Sequence, residues 1–247
     1  MKVLATYNIK GGVGKTSTAV NISHLAAQDG LRVLLADLDP QAAASYVLRI
    51  KPRVKGGASG LVRGGRPVDD AIKGTDYDGL DLLPADFTFR NLDLVLDATK
   101  RPTQRLAKLL RPLRGAYDLV VLDCPPGISL LSESVLHAAD TVLVPLIPTT
   151  LSKRTLDQLT EFITGFDGHR PKVLAFFSMV DRRKRLHAQI MAELATERDD
   201  VVTAAIPALS LIEQMAVRKE PVTAFSPRSA AAAAYGRLWA EVRASVL

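Results

Sequence analysis

Short apolar runs alternate along the chain with longer segments in which apolar residues recur at helical spacing. The apolar runs predict β-strands at residues 2–7, 32–36, 80–83, 118–122, 141–147, 172–177 and 201–206. The helically spaced segments predict α-helices at residues 16–28, 103–113, 153–164, 183–197, 211–217 and 229–244. Strands that alternate with helices are typical of a parallel sheet covered by helices on both faces. The pattern therefore predicts an α/β fold built on a doubly wound, mostly parallel sheet.

Length and composition favour a protein with one domain. With 247 residues, of which 47% are hydrophobic, the chain can bury one large core, so a single domain over residues 1–247 is expected. No apolar stretch approaches the roughly 20 residues of a membrane span, and no signal-peptide pattern precedes the first strand. We therefore expect a cytoplasmic location. Cys124 is the single cysteine, which excludes an internal disulfide.

A glycine-rich run with a lysine at each end separates the first predicted strand from the first predicted helix. It reads Lys10-Gly11-Gly12-Val13-Gly14-Lys15-Thr16-Ser17. In a strand–loop–helix setting, backbone N–H groups and the helix N-terminus bind phosphate oxygens, so we expect the whole run to bind a nucleotide. Lys15 is expected at the β- and γ-phosphates, and the Thr16 hydroxyl is expected to ligate Mg²⁺. Lys10 is additional, because the general P-loop pattern has no lysine at that position.

With this run the sequence resembles the ParA/MinD family of deviant Walker A ATPases, which are P-loop NTPases of the SIMIBI type. In that family the first lysine contacts the nucleotide of the other subunit in an ATP-sandwich homodimer, which implies that role for Lys10. The resemblance implies ATP and Mg²⁺ as cofactors, with slow hydrolysis that a small ParB-like or cargo-adaptor protein stimulates. The nitrogenase iron protein shares the loop but needs two cysteines per subunit, so the cysteine count excludes it.

Two acidic segments follow in the order that this family shows. Leu34 to Gln41 is an apolar strand that ends in Asp37 and Asp39, and it resembles the second acidic motif of the family. The resemblance implies that Asp39 helps to place the attacking water and that Asp37 lies near the metal. Leu119 to Gly127 resembles the Walker B motif, which implies that Asp123 holds Mg²⁺ through its water shell.

The balance of charge favours an anionic partner. The chain has 32 Lys and Arg against 26 Asp and Glu, a formal net charge of +6, and basic surfaces attract nucleic acid without reading its sequence. In ParA relatives the ATP-bound dimer binds non-specific double-stranded DNA through the carboxyl-terminal third, which implies association with the nucleoid. The candidate DNA-binding residues are Arg182, Arg183, Lys184, Arg185, Arg218, Lys219 and Arg228. The first four stand at a predicted helix start, where the helix dipole disfavours cations, and this placement favours an anionic partner.

Residues 51–66 differ in composition from the rest of the chain. Five basic residues alternate there with five glycines, and the segment contains no acid. This composition predicts a mobile, basic, glycine-rich surface loop that is either solvated or in contact with DNA or a partner.

Some positions depart from the common pattern of the family. Ala208 stands where many chromosome-type ParA proteins have an arginine, so part of the usual DNA surface is expected to be absent. Ser178 to Asp181 lacks the asparagine that reads adenine in many members, although Pro207 is still implied to pack against the base. These departures favour a divergent branch, such as an orphan ParA that positions a protein cargo.

The main alternative is a MinD-like membrane-cycling ATPase, which binds lipid through an added amphipathic helix. One helical stripe here contains Tyr235, Leu238, Trp239, Val242 and Val246. A helix that docks on its own sheet cannot readily enter lipid, so we interpret this stripe as core packing. A metabolic ligase of the dethiobiotin synthetase type is a further alternative, and it would require a small-molecule pocket.

Overall fold

The computed structural model describes residues 1–63 and 67–247 of the chain. Its sheet contains the strands β1 Lys2–Thr6, β2 Val33–Asp37, β3 Lys73–Gly74, β4 Leu80–Leu83, β5 Leu119–Asp123, β6 Thr141–Leu146, β7 Lys172–Val180 and β8 Val201–Pro207. The α-helices are α1 Lys15–Gln28, α2 Ala43–Val47, α3 Gly57–Val62, α4 Leu92–Asp97, α5 Arg105–Leu110, α6 Leu130–Ala138, α7 Thr150–Thr164, α8 Arg185–Glu197, α9 Ser210–Arg218, α10 Val222–Phe225 and α11 Ala230–Val246. Every predicted strand is present, and β3 is an addition to them.

The strand order across the eight-stranded sheet is β3-β4-β2-β5-β1-β6-β7-β8. Neighbouring strands are parallel throughout, except that β3 and β4 are antiparallel. The register places Thr6, Asp123 and Asp37 side by side, because Asp123 pairs with both of the others. The prediction of a doubly wound, mostly parallel sheet is confirmed. The carboxyl ends of β1, β2 and β5 therefore meet at one end of the sheet, where such folds bind ligands.

Alternate strand residues face two hydrophobic layers on opposite sides of the sheet. Val3 of β1 belongs to the layer that contains α6 and α7, whereas Leu4 belongs to the layer that contains α1 and α11. Burial on both faces explains why the strands read as continuous apolar runs. The stripe on α11 packs into the second layer, with Tyr235 and Trp239 only 2% and 5% exposed, so its interpretation as core packing is confirmed. Among the described residues, no helix has the length and apolar character needed to cross a membrane.

The sequence pattern does not predict α2, α3, α4, α6 and α10. Four of these have only four to six residues, which is too short for a helical period to be detected. α6 begins at a capping box, in which Ser129 and Ser132 each donate a backbone N–H to the other's hydroxyl. The helix predicted at 103–113 is shorter than expected, because 3-10 turns that contain Pro102 and Pro112 flank α5.

The segment at 51–66 is not simply a mobile surface loop. Residues 57–62 form α3, in which Ala58, Leu61 and Val62 are buried in the core. The Ala58 N–H donates to the Thr88 hydroxyl over 2.8 Å, which fixes the start of this helix. Burial of these apolar residues overrides the low helix propensity of the glycines around them. Residues 64–66 of the predicted loop, including Arg66, lie outside the described residues.

Candidate nucleotide-binding site

The glycine-rich run forms a tight loop between β1 and α1. Gly12 and Gly14 have φ angles of +70° and +92°, which residues with a side chain adopt only under strain. A Cβ atom added at Gly14 would lie 2.9 Å from the Ser178 hydroxyl, so the loop approaches β7 closely. α1 begins at Lys15 with no side-chain cap, and the N–H groups of its first turn therefore face the loop. This is the arrangement by which proteins bind phosphate groups.

Tyr7 and Asn8 attach the loop to the sheet, and neither was singled out from the sequence. The Asn8 side chain donates to the Pro145 oxygen over 2.8 Å and accepts the Lys10 N–H over 2.9 Å. The Tyr7 hydroxyl donates to the Gly127 oxygen over 2.8 Å. The two long-range partners are 137 and 120 positions away, so no local sequence signal reveals these contacts.

The ammonium group of Lys15 lies inside the loop. Lys15 is 6% exposed, and its Nζ donates to the main-chain oxygen of Lys10 over 3.0 Å. Burial lowers the pKa of Lys15, and the negative charge of Asp123 opposes this change. The loop therefore holds a cation close to the acidic end of β5.

Asp123 carries a buried carboxylate with two unpartnered oxygens. Neither oxygen accepts a hydrogen bond from the described residues. Burial, and then the charge of Asp37, raises the pKa of Asp123 well above its usual range, whereas the Thr16 hydroxyl and Lys15 favour the ionised form. An unpaired buried carboxylate is costly, and carboxylate and hydroxyl oxygens are ligands that suit Mg²⁺. Thr16 and Asp123 therefore fit the predicted magnesium ion.

Asp37 and Asp39 have different surroundings although they are close in sequence. Asp37 Oδ2 accepts the N–H and the hydroxyl of Ser45 over 2.8 and 2.7 Å, and its Oδ1 accepts the Asp39 N–H over 3.3 Å. Burial raises the pKa of Asp37 to about 6, and the bonds from Ser45 oppose the rise. Asp39 is half-buried, and its Oδ1 accepts the Gln41 N–H over 2.9 Å. Asp37 thus holds the turn after β2, while Asp39 lies at the accessible side of that turn.

Comparisons with known proteins agree with this geometry. A family model described as an AAA domain matches residues 1–176. The chromosome partitioning protein ParA of Caulobacter vibrioides is 34% identical over 250 residues, which cover 98% of this chain and 94% of that protein. The sporulation initiation inhibitor protein Soj of Bacillus subtilis is 32% identical, and the match covers 99% of each chain. The chain belongs to the ParA family of partition ATPases.

A solved structure extends the comparison of this ParA-family chain to its cofactors. Cobyrinic acid a,c-diamide synthase from Mycobacterium smegmatis, solved with a bound ATP analog and magnesium, has a TM-score of 0.84 and 28% identity. The match covers 98% of this chain and 94% of that one. The P-loop NTPase fold is thereby confirmed, and that relative binds the two kinds of cofactor that the sequence predicts.

The four consecutive basic residues of this ParA-family chain lie mostly in the turn between β7 and α8. The helix predicted at 183–197 is confirmed, but α8 begins two residues later, at Arg185, with Lys184 at its N-cap. All four side chains are exposed. Arg183 forms a bidentate ion pair with Asp181, with N–O distances of 3.0 and 2.9 Å. This pair lowers the pKa of Asp181 to about 2, so the charge of Arg183 is already balanced.

Pro207, the candidate base-contacting residue, shares a cleft with part of this basic turn. Pro207 ends β8 and pairs with Val180 of β7. A cleft of about 710 Å³, here called the Pro207 cleft, is lined by Pro207, Val180, Asp181, Arg182 and Arg183, among others. The carboxyl ends of β7 and β8 therefore bring a candidate nucleotide contact and candidate DNA contacts together.

The other candidate DNA-binding residues lie around α9 and the turn before α11. The Arg218 guanidinium lies 4.9 Å from the ring centre of an α10 phenylalanine, and the Lys219 ammonium lies 4.6 Å from that of an α2 tyrosine. Arg228 is exposed in the turn that precedes α11. These three residues do not line the Pro207 cleft, so the basic candidates occupy more than one surface.

Proposed function

We propose that this chain is a ParA-type ATPase that dimerises around two Mg-ATP, binds non-specific double-stranded DNA in that state, and separates after slow hydrolysis. Its cycle positions a DNA or protein cargo, and a small ParB-like or adaptor protein stimulates it. The observation that carries this proposal is a phosphate-type loop with two lysines, Lys10 and Lys15, close to the unpaired carboxylate of Asp123.

The hydrogen bonds that the loop makes without nucleotide indicate how it would bind phosphate groups. Lys15 now donates to a neutral carbonyl oxygen, and a charged phosphate oxygen would be a stronger acceptor for the same ammonium group. The backbone N–H groups from Gly11 to Ser17 would donate to the remaining phosphate oxygens. Thr16 and Asp123, with Asp37 nearby, would hold Mg²⁺, which when bound would neutralise charge on the phosphates.

Two residues are assigned to the hydrolytic step and to dimerisation. Lys10 is half-buried at the start of the loop, and the contact with Lys15 uses only its main-chain oxygen, so its side chain remains available for a second subunit. Asp39 lies on the accessible side of its turn and orients the attacking water. Lys15 and Lys10 stabilise the charge on the transferred phosphoryl group.

DNA binding is assigned to the exposed basic residues of the carboxyl-terminal third. Contacts to phosphates give affinity for any sequence, and a dimer presents twice the number of such contacts. Arg182, Lys184 and Arg185 contribute more than Arg183, because Asp181 already neutralises Arg183. A membrane-cycling function is less favoured, since the apolar stripe of α11 is buried against the sheet.

Light scattering and a DNA mobility assay test the proposal together. With Mg²⁺, ATP should convert monomers into dimers and should permit a shift of duplex DNA at low salt, whereas ADP should do neither. ATP-dependent binding to anionic vesicles in the absence of any DNA shift would overturn the DNA assignment and support the MinD-like alternative.

A further inference from the structure

A second basic surface lies beside the turn that carries Asp39. Two adjoining depressions of about 630 and 740 Å³ share Arg49, Ile50 and Lys51 in their walls. We call them together the basic cleft. Its cationic residues are Arg49, Lys51, Arg53, Lys55, Lys73 and Lys219. Among the described residues of its walls, Asp70 is the single acid.

Most of the charge in the basic cleft has no protein partner. Lys51, Arg53, Lys55 and Lys73 are exposed, and none of them forms a salt bridge within residues 1–63 and 67–247. Arg49 differs, because it pairs with acids on two other segments and so stiffens the wall. Several like charges around one depression create a positive potential that an anionic group relieves.

The segment that carries Lys51 and Arg53 is held in place. The Ile50 N–H donates to the Ser45 oxygen over 3.0 Å, and the Val54 N–H donates to the Asp86 carboxylate over 2.9 Å. Between these anchors, the Arg53 N–H donates to the oxygen of residue 51 over 2.8 Å, which closes a tight turn around a proline. The cations therefore sit on a preorganised wall, which lowers the entropic cost of binding a partner.

The lining of the basic cleft favours a protein segment over a DNA duplex. Ile50, Pro52 and Ala43 contribute apolar surface, and Tyr46 is 51% exposed. A duplex presents phosphates and sugars and would leave this apolar surface unused. A flexible chain that carries both carboxylates and apolar side chains can contact the cations and the apolar surface together.

We propose that the basic cleft binds an acidic segment of a partner protein, in which aspartate or glutamate is interspersed with apolar residues. Such a segment would touch Gln41, whose N–H bonds to Asp39. Binding would thereby restrain the turn that carries Asp39, the residue assigned to orient the attacking water. This effect on hydrolysis rests on the proposed ATPase function, whereas the binding of the acidic segment does not.

The test measures peptide binding without nucleotide, so that failure of the ATPase assignment does not affect it. The probe is a fluorescein-labelled peptide of sequence Glu-Glu-Phe-Glu-Asp-Leu-Glu-Glu, followed by fluorescence anisotropy, and a second probe, measured with and without Mg-ATP, is labelled duplex DNA. The triple variant Lys51→Glu/Arg53→Glu/Lys73→Glu should bind the peptide about tenfold more weakly than the wild type. The matched variant Arg182→Glu/Lys184→Glu/Arg185→Glu has the same change in charge and should bind the peptide as the wild type does.

Three results would overturn this assignment. They are an absence of saturable peptide binding to the wild type, an equal loss in both triple variants, and a loss of duplex rather than peptide binding in the cleft variant. The last result would make the cleft a nucleic-acid surface. A neutral variant, Lys51→Gln/Lys73→Gln, repeats the measurement if charge reversal impairs folding, which circular dichroism detects.

Discussion

The Nζ atom of Lys15 donates a hydrogen bond to the main-chain oxygen of Lys10 over 3.0 Å. One lysine of the loop thus closes onto the backbone of the other, and the Lys10 side chain takes no part in the contact. Lys15 is buried while Lys10 is only half-buried. The two lysines are therefore expected to respond differently to substitution.

Replacement of each lysine by alanine separates binding from dimerisation. Lys15→Ala removes a charged hydrogen-bond donor to phosphate, worth about 1.5–3 kcal/mol, so nucleotide affinity should fall by tenfold or more. Lys10→Ala should retain nucleotide binding and lose the ATP-dependent dimer. Titration with a fluorescent ATP analogue and light scattering measure the two properties. A Lys10→Ala protein that still dimerises with ATP would refute the assignment of Lys10 to the other subunit.

Asp39→Ala should slow hydrolysis by about a hundredfold and leave nucleotide binding intact, because a water-orienting acid acts in the transition state. The protein should then accumulate as the ATP-bound dimer. Single-turnover hydrolysis is the direct measurement. Gln41→Ala is the matched control in the same turn, and it should stay close to the wild type. A near-normal rate in Asp39→Ala would show that another group places the water.

Asp123→Asn tests the magnesium assignment by replacing the carboxyl group with an amide of nearly the same shape that cannot ionise. Without ligand, the variant should be about as stable as the wild type, because burial raises the pKa of Asp123 and so already favours its uncharged form. With Mg-ATP, the increase in melting temperature seen for the wild type should largely disappear. Thermal denaturation with and without Mg-ATP reports both effects. A variant that gains as much from Mg-ATP as the wild type would rule out Asp123 as a metal-binding residue.

DNA binding by the dimer should weaken steeply with salt. If each subunit contacts about three phosphates, log affinity against log salt should have a slope of roughly −5. Arg182→Ala removes one contact from each subunit of the dimer and should make the slope shallower by about 1.8, whereas Arg183→Ala should change it less, because Asp181 already pairs with Arg183. Mobility shifts at several salt concentrations give the slopes. Equal effects of the two substitutions would show that the ion pair opens when DNA binds.

His24 should make stability depend on pH. Burial lowers its pKa to about 4, below the roughly 6.5 of an unfolded chain, so stability present above pH 6.5 is lost as the pH falls toward 4. Between pH 7 and pH 5 the loss should be about 2 kcal/mol more in the wild type than in His24→Gln. Urea denaturation gives the free energy of unfolding of both proteins at each pH. Groups such as Asp37 contribute equally to both proteins, so their effect cancels in the difference. If the free energy of unfolding changed equally with pH in the two proteins, His24 would not be buried in its neutral form.

The strands and the phosphate loop were predictable because their signals are local. A strand buried on both faces, such as Leu119–Asp123, reads as one apolar run, and each acid of the site directly follows or ends such a run. The loop at 10–15 has its glycines where positive φ angles occur, at Gly12 and Gly14. The cofactor prediction followed from that loop and from the family resemblance.

Other parts of the structure depend on contacts that no local pattern contains. α3 lies within residues 51–66, whose five glycines and five basic residues predict a loop. The burial of Leu61 and Val62 instead decides its helical conformation. The ion pair between Asp181 and Arg183 depends on how the chain turns after β7, so the sequence does not distinguish Arg183 from the other three basic residues of the run. The proximity of Ser178 to Gly14 links segments that are far apart in sequence.

The interior position of β1 also determines when the site can form. The Thr6 hydroxyl donates to the Leu122 oxygen, a contact that spans 116 positions, and β1 is enclosed by β5 and β6. During synthesis, both edges of β1 therefore stay unpaired until β5 and β6 have been made. Chains with such long-range strand pairing fold slowly, and their unpaired strand edges promote aggregation. The phosphate-binding loop is made early, but it can adopt its binding conformation only after more than half of this sequence has been translated. Nucleotide binding would therefore report a late stage of folding.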